Sequence, residues 1–580
     1  MTWYFSNLAR FRAEREGLDV FSQNVDWFVP SGWRIGEGAH LVLDAEIVAG
    51  GRVYPVYLQY PEMFPHSPPS VFPRGETGRW SRHQFGPGGE LCLEFGPDNW
   101  IPELTGIQLI ESAHRLLQGE NPGVGEKGVV QSRHTDTLGQ KLRSEYSRLL
   151  MTRSLEAFLP ALPVRAPATC NFVSAHHQDS VIHVIDKITL GDGINWVDPS
   201  VPSQFASEYL DRPAPICRLA MGEVLPPIST YQDFRAACAA FGVTIDNRYA
   251  VIVQGADVHV YFLWEPDNTA VEVAVIPASP DVPRLDPAHE LLKSKSVALI
   301  GCGSLGSKVG TMLARSGTGR FVLVDDDILL PDNLVRHDLD WRDIGTHKAA
   351  ALERRLQLVN PLVETTRWRS RLAGQESNES AEGVLKTIGE CDLIFDATAN
   401  PDILNLVSAV CSVTAKPVLW AEVFGGGIGG LIARCRPNLE PPPQYMRRAI
   451  ENWFAERGPP PVKATRSYET GRDGVPLIAD DADVSAIAAH AARFAIDTLI
   501  GRIPSLFPNS VYAIGLGAGS VFTQPFETYP IEVGPPLVIA PKQELSSEEM
   551  AAEIANVLRL FKAKSDETAA AKQDSQTPET

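Results

Sequence analysis

The run Gly301-Cys302-Gly303-Ser304-Leu305-Gly306 constrains this chain more than any other feature. It follows the apolar stretch Ser296-Val297-Ala298-Leu299-Ile300, opens a helical pattern over 304–316, and leads to a second apolar stretch that Asp325 closes. Strand, glycine turn, helix and strand in that order form a βαβ unit. Glycines at such a turn let phosphates approach backbone N–H groups at the helix N-terminus. Asp325 stands 19 residues after Gly306, the place for a carboxylate that takes ribose hydroxyls. Further strands are expected at LIFDA and PVLWAE.

On the glycines alone, a dinucleotide-binding Rossmann unit fits. The polar residues downstream change the reading. Asp325-Asp326-Asp327 is followed by Asn333-Leu334-Val335-Arg336, Asp343-Ile344-Gly345, Lys348, and Asp396 at a strand end with Asn400 beyond it. Each of these alone reads as a solvated face or a surface ion pair. Their joint order resembles the ThiF/MoeB-type adenylation domain shared by ubiquitin-activating enzymes, over residues 290–545. The resemblance implies an α/β Rossmann-like fold with Gly301, Gly303, Gly306, Asp325, Asp327 and Asn333 around the nucleotide. It also implies that Asn333, Arg336 and Lys348 hold the phosphates of ATP and that Asp396 binds Mg²⁺. The chemistry agrees: a carboxylate attacking the α-phosphorus of ATP brings two anions together, so cations must absorb the developing charge.

The first 150 residues read as an α+β domain. A surface helix is expected over 5–18, then a hairpin turning at Ala49-Gly50-Gly51, a proline-dense turn from Pro61 to Pro73, an irregular loop over 80–102, and a helix carrying Ile107, Ile110, Ala113 and Leu117. Tyr60-Pro61, Pro68-Pro69-Ser70-Val71-Phe72, His83, Cys92-Leu93 and Trp100-Ile101-Pro102 together resemble a ubiquitin-conjugating (UBC) domain. The resemblance implies that Cys92 accepts a ubiquitin-like C-terminus as a thioester, which thiolate chemistry suits because sulfur both attacks and leaves well. The family's His-Pro-Asn element appears here as His83-Gln84-Phe85, and Phe85 donates no hydrogen bond. Either Asn99 or a backbone N–H then serves the oxyanion, or the oxyanion site differs. His83 shapes the loop or acts as a base.

Short apolar runs between Pro and Asp turns over 160–285 predict a mostly β middle domain with no recognisable chemistry. Residues 546–580 predict a capped helix and a disordered polar tail. About three to five domains suit 580 residues at roughly 100–200 per domain.

A conjugating and an activating domain on one chain resemble the bacterial fused enzymes of antiphage operons, including the ubiquitin-like transfer enzymes of CBASS systems. The reading is ATP-dependent activation of a protein C-terminus, from a ubiquitin-like protein or a CD-NTase-type partner, loading onto Cys92 and transfer to a target protein. Sulfur-carrier activation, and a binding protein with an inactive UBC-like half, are the alternatives. The resemblance also implies a homodimer. Ubiquitin-activating enzymes place a second cysteine after the Asp396-type strand, but here only Cys411 and Cys435 follow, on a core helix and a strand. Either Cys92 attacks the adenylate directly, or Ser467, beside Glu469, relays it as an oxyester.

Lys+Arg total 52 against 71 Asp+Glu, a net charge of −19. Nucleic acid and anionic membranes are therefore poor partners. Eight cysteines with no Cys-x-x-Cys, a charged opening segment and no long apolar run lead to the expectation of a reducing, cytoplasmic setting.

Overall fold

The computed structural model describes residues 2–75, 78–81, 83–86, 88–120, 137–166, 168–191, 193, 195–208, 210–245, 247–279, 284–374, 378–458, 479–537 and 545–574. The chain divides into two compact units, Met1–Ser144 and Glu145–Thr580.

In the first unit, helix α1 (Leu8–Asn24) precedes an antiparallel meander of β1 (Phe28–Ile35), β2 (Leu41–Ala49), β3 (Arg52–Tyr60) and β4 (Ser70–Pro73), and helix α2 (Gly106–Glu120) follows. The pleat explains the pattern: Tyr54, Val56, Leu58 and Tyr60 of β3 are buried while the residues between them are not. Ala49 pairs with Arg52 across Gly50 and Gly51, whose φ of 57° and 75° make the two-residue turn that right-twisted strands favour. The buried face of the sheet packs against Leu18 of α1 and against Leu109, Ile110, Ala113 and Leu117 of α2. Between β4 and α2, residues 74–105 hold no helix or strand among the described residues; the loop bearing Cys92 lies there.

The second unit begins earlier than the sequence suggested. β5 (Ser147–Leu150) pairs in parallel with both β12 (Thr269–Ile276) and β7 (Val181–Thr189), so the expected boundary at 150 moves to Ser144. With β6 (Ala168–His176), β9 (Leu210–Arg218), β10 (Tyr249–Gln254) and β11 (Asp257–Trp264), these strands close in the order β5-β12-β11-β10-β9-β6-β7. The β-rich middle segment is thus a barrel, with β8 (Asn195–Val197) appended to β7. Helix α3 (Tyr231–Ala240) buries Phe234 and Cys238 against its flank.

The remaining sheet has the order β15-β14-β13-β16-β17-β18-β19-β20. β13 (Ser296–Ile300), β14 (Arg320–Val324), β15 (Glu364–Trp368), β16 (Leu393–Asp396) and β17 (Val418–Phe424) run parallel. β18 (Gly429–Cys435), β19 (Val511–Gly515) and β20 (Thr528–Pro530) complete it antiparallel. Helices α4 (Ser304–Arg315), α5 (Lys348–Val359) and α8 (Asp481–Ile500) cover one face. α6 (Pro401–Thr414) and α7 (Pro443–Arg457) cover the other. Strands buried on both faces read as continuous apolar runs, as Val297-Ala298-Leu299-Ile300 does. The strand order reverses between β13 and β16, and ligands of such sheets bind at that point, beyond the carboxyl ends of the strands.

Helix α9 spans Ser547–Asp574, so the polar stretch expected to be disordered is helical through Asp574. Among the described residues no helix is long and apolar enough to cross a membrane.

Candidate functional site

At the carboxyl end of β13 the chain turns at Gly301, whose φ of 86° belongs to the left-handed region. A Cβ on Gly306 would lie 1.9 Å from the Gly301 carbonyl oxygen, so the helix starts this close to the turn only with glycine. Gly303 caps α4 without any side-chain hydrogen bond. The first-turn N–H groups are left to whatever occupies the loop, a natural anion position.

Asp325 anchors the loop: its Oδ2 accepts from Cys302 N at 2.6 Å and its Oδ1 from Asp327 N at 2.9 Å. Burial raises its pKa, and the two N–H bonds oppose that rise. Each oxygen keeps a lone pair that can accept from a further donor. Lys348, the first residue of α5, donates its backbone N–H to the Asp327 carbonyl at 2.9 Å and its ammonium to the Asp327 carboxylate. Asp327 therefore positions the buried lysine. Asn333 accepts from Leu330 N at 3.0 Å, closing the turn over Pro331–Val335 that delivers half-buried Arg336.

Asp396, at the end of β16, is 3% exposed, and its Oδ1 accepts from Thr398 N at 2.9 Å and from Thr398 Oγ1 at 2.6 Å. Burial pushes its carboxyl up to about 6, opposed by the Thr398 bonds. Among the described residues no cationic side chain pairs with it, and none of their His, Cys, Asp and Glu side chains cluster as a ready-made metal cage. A buried carboxylate without a counter-charge fits Mg²⁺, which binds through one or two carboxylates together with substrate phosphates. Asn400 caps α6, accepting from Asp402 N at 2.9 Å.

Three residues here escaped the sequence reading. His337, buried, bonds through Nε2 to the Cys302 carbonyl at 2.9 Å, and its Nδ1 meets Leu339 N at 3.2 Å. A carbonyl only accepts and an amide N–H only donates, so the proton sits on Nε2 and the ring is neutral. Burial, with Lys348 and Lys308 adding to it, lowers the pKa to about 4 against the Cys302 bond. Thr398 holds Asp396. Lys308, 5% exposed, pairs with Asp481 at 2.6 Å and ties α4 to α8. The only sequence signal for His337 is its place directly after Arg336.

In the first unit, Cys92 N donates to the His83 carbonyl at 2.8 Å, and Gln84 forms a bridge with Leu91. The buried Gln84 side chain clamps this pairing, accepting from Trp80 N at 2.8 Å and donating to Gly89 O at 3.0 Å. His83 thus shapes the Cys92 loop through its backbone, and its Nε2 stands 4.0 Å from Glu120. Cys92 is half-buried; burial first, then Glu90, raise its thiol pKa against Arg79. Asn99 is engaged locally, accepting from Gly96 N at 2.8 Å and donating to Glu94 O at 3.1 Å. Phe85 is 70% exposed. Behind the loop, Glu14 accepts from Tyr60 OH and from Gly106 N, both at 2.8 Å, while Arg10 pairs with Glu14 and donates to Pro102 O.

Cys411 and Cys435 are buried, and the Cys435 thiol donates to Pro441 O at 3.4 Å. All eight cysteines are free. Ser467 and Glu469 lie outside the described residues.

Residues 282–442 match the ThiF family. The chain is 32% identical over 144 residues to the sulfur carrier protein ThiS adenylyltransferase of Escherichia coli K12, covering 25% of this chain and 54% of the relative. It is 30% identical over 218 residues to the ATP-dependent ubiquitin transferase-like protein Cap2 of E. coli TW11681, 35% of each chain. A Cap2 of Pseudomonas aeruginosa is 31% identical over 154 residues, covering 25% of this chain and 26% of the relative. The curated relatives first matched are spanned over only 26% to 54% of their lengths.

Proposed function

We propose that this chain activates a protein C-terminal carboxylate with ATP, loads it onto Cys92 and ligates it to a target nucleophile. The observation that carries the reading is the uncapped glycine loop after β13 set beside the uncompensated Asp396 carboxylate on the neighbouring strand β16, inside the segment that matches ThiF. The N–H groups opening α4 bind phosphate oxygens, and Asp325 takes the ribose hydroxyls. Arg336 and Lys348 offset the charge that develops as the carboxylate oxygen attacks the α-phosphorus and pyrophosphate leaves. Asp396 would hold Mg²⁺, which would supply further positive charge at the triphosphate.

Cys92 sulfur then attacks the acyl carbonyl, AMP leaves, and a thioester remains. A target amine attacks that thioester and the thiolate departs. A UBC-like role for residues 1–144, a ubiquitin-like or CD-NTase-type partner, a homodimer, a cytoplasmic setting and service in antiphage defence complete the reading. The similarity to Cap2 supports ubiquitin-like transfer. The similarity to the ThiS adenylyltransferase favours a second reading, activation of a sulfur carrier.

Pyrophosphate–ATP exchange stimulated by a partner protein, followed by intact mass of the chain, tests both. A thiol-labile adduct on Cys92 supports conjugation. Exchange without any adduct on Cys92 supports the sulfur-carrier reading.

A further inference from the structure

The short pairing in the Cys92 loop orders side chains as well as backbone. Phe85 N donates to Glu90 O at 2.9 Å and Cys92 N to His83 O at 2.8 Å, on either side of the antiparallel bridge between Gln84 and Leu91. Side chains alternate along such a ladder, and directly opposite residues share a face. Gln84 and Leu91 are 4% and 1% exposed and take the inner face, so His83 and Cys92 stand across from one another on the outer one. Opposite residues joined by a backbone hydrogen bond have Cα atoms about 5.5 Å apart, which brings an imidazole within reach of a thiol.

That thiol needs a proton acceptor. Burial first, then Glu90, hold its pKa above the ordinary value against Arg79, so at neutral pH the sulfur keeps its proton and is a poor nucleophile. His83 is the titratable side chain set opposite it. Glu120, at the end of α2, stands with Oε1 4.0 Å from His83 Nε2, the two side chains only 18% and 23% exposed. A carboxylate at that distance offsets the positive charge an imidazole gains on taking a proton. We propose that His83 is the catalytic base for loading Cys92 and that Glu120 is a positioning residue acting through it. The proposal rests on the reading that Cys92 accepts an acyl group. With Nε2 beside Glu120, Nδ1 is the nitrogen left for the thiol. As sulfur attacks the acyl carbonyl, the S–H proton passes to Nδ1 and the C–S bond forms. The bond from the acyl carbon to the phosphate oxygen breaks with its electron pair on AMP, and the ring then gives its proton to solvent.

An acyl donor that bypasses adenylation separates the base from the wider reading. Of the eight cysteines only Cys92 is not buried. p-Nitrophenyl acetate is therefore applied to the full-length chain at neutral pH without ATP or a partner, and the acetyl thioester on the Cys92 peptide is followed by mass, with Cys92→Ala as the blank. His83→Ala should slow acetylation at least about tenfold. Added imidazole should restore most of the rate in that variant, which a side chain that only shapes the loop would not allow. Glu120→Gln should slow it about threefold, with Glu120→Asp recovering most of the loss. A His83→Ala rate within about twofold of the native chain, a slow rate that imidazole leaves unchanged, or no acetylation of native Cys92 overturns the proposal. Glu120→Gln at the native rate overturns the part given to Glu120. The expected rates in a chain that no partner protein loads support the base and count against the wider reading alone.

Discussion

The Nε2–H of His337 meets the carbonyl of Cys302 at 2.9 Å, so one bond fastens the glycine loop to the segment that carries Arg336. The same segment is fixed on its other side, where Thr311 Oγ1 donates to Asp338 at 2.7 Å and Asp338 N to Ser307 Oγ at 3.3 Å. His337 is a positioning residue. His337→Ala should raise the KM for ATP about tenfold in pyrophosphate exchange with a smaller change in kcat, since a buried hydrogen bond lost with its partner left unpaired costs about 1–3 kcal/mol. His337→Gln, which can still donate, should recover most of it. An equal fall in kcat for both variants contradicts the assignment.

The same imidazole sets a pH dependence. Its folded pKa of about 4 lies below the ordinary value of about 6.5, so on acidification the unfolded chain takes up the proton first. Stability from His337 is present above about 6.5 and is lost progressively towards about 4, on the order of 3 kcal/mol over the window. His183, also held to about 4 by burial, adds a parallel loss. Thermal unfolding from pH 7.5 to 5 should show a smaller drop for His337→Gln than for the native chain. Identical drops would show that the ring is already accessible to protons.

Asp396→Asn should abolish exchange, at least about a hundredfold, while the folded protein becomes more stable. Burial makes the unpaired carboxylate costly at neutral pH, and the amide removes that cost, a gain of about 1–3 kcal/mol. Urea unfolding and exchange on one preparation check both halves. Exchange at the native rate removes Asp396 from the site.

Cys92→Ala should leave partner-dependent exchange within about twofold and stop conjugate formation, with the thiol-labile adduct lost. A hydroxylamine-sensitive, thiol-resistant adduct that Ser467→Ala removes would point instead to an oxyester relay.

Glu14→Ala should destabilise the first unit by about 2–4 kcal/mol in urea unfolding, because it strips the partner from Arg10, Tyr60 OH and Gly106 N together. Glu14→Gln should cost less. A change below about 0.5 kcal/mol for the alanine variant would show that the network is not coupled.

The α/β half was legible because its signals are local. Four consecutive apolar residues after Ser296, then Gly301 and Gly306, which leave no room for a Cβ, then an acid at the next strand end, each follow from chemistry within a few residues of chain. The hairpin at Gly50-Gly51 was legible for the same reason. Barrel closure was not: Leu150 meets Ile276 and Val184, and nothing near residue 150 announces partners so distant in sequence. His337 and Thr398 hid because their work is done on backbone and carboxylate groups that only the fold brings near. Asn99 and Asn400 drew notice as polar residues beside motifs, yet both bond to groups within five residues of themselves.

β5 sits immediately after the first unit, yet its partners span Val181 to Val184 on one side and Ala274 to Ile276 on the other. During synthesis the barrel stays open until residue 276 has left the ribosome. The first unit, whose pairings lie among nearby strands, can be finished well before that. The nascent chain therefore carries a folded head followed by an unsealed sheet through more than a hundred residues of translation, an interval in which its exposed strand edges call for protection by a chaperone.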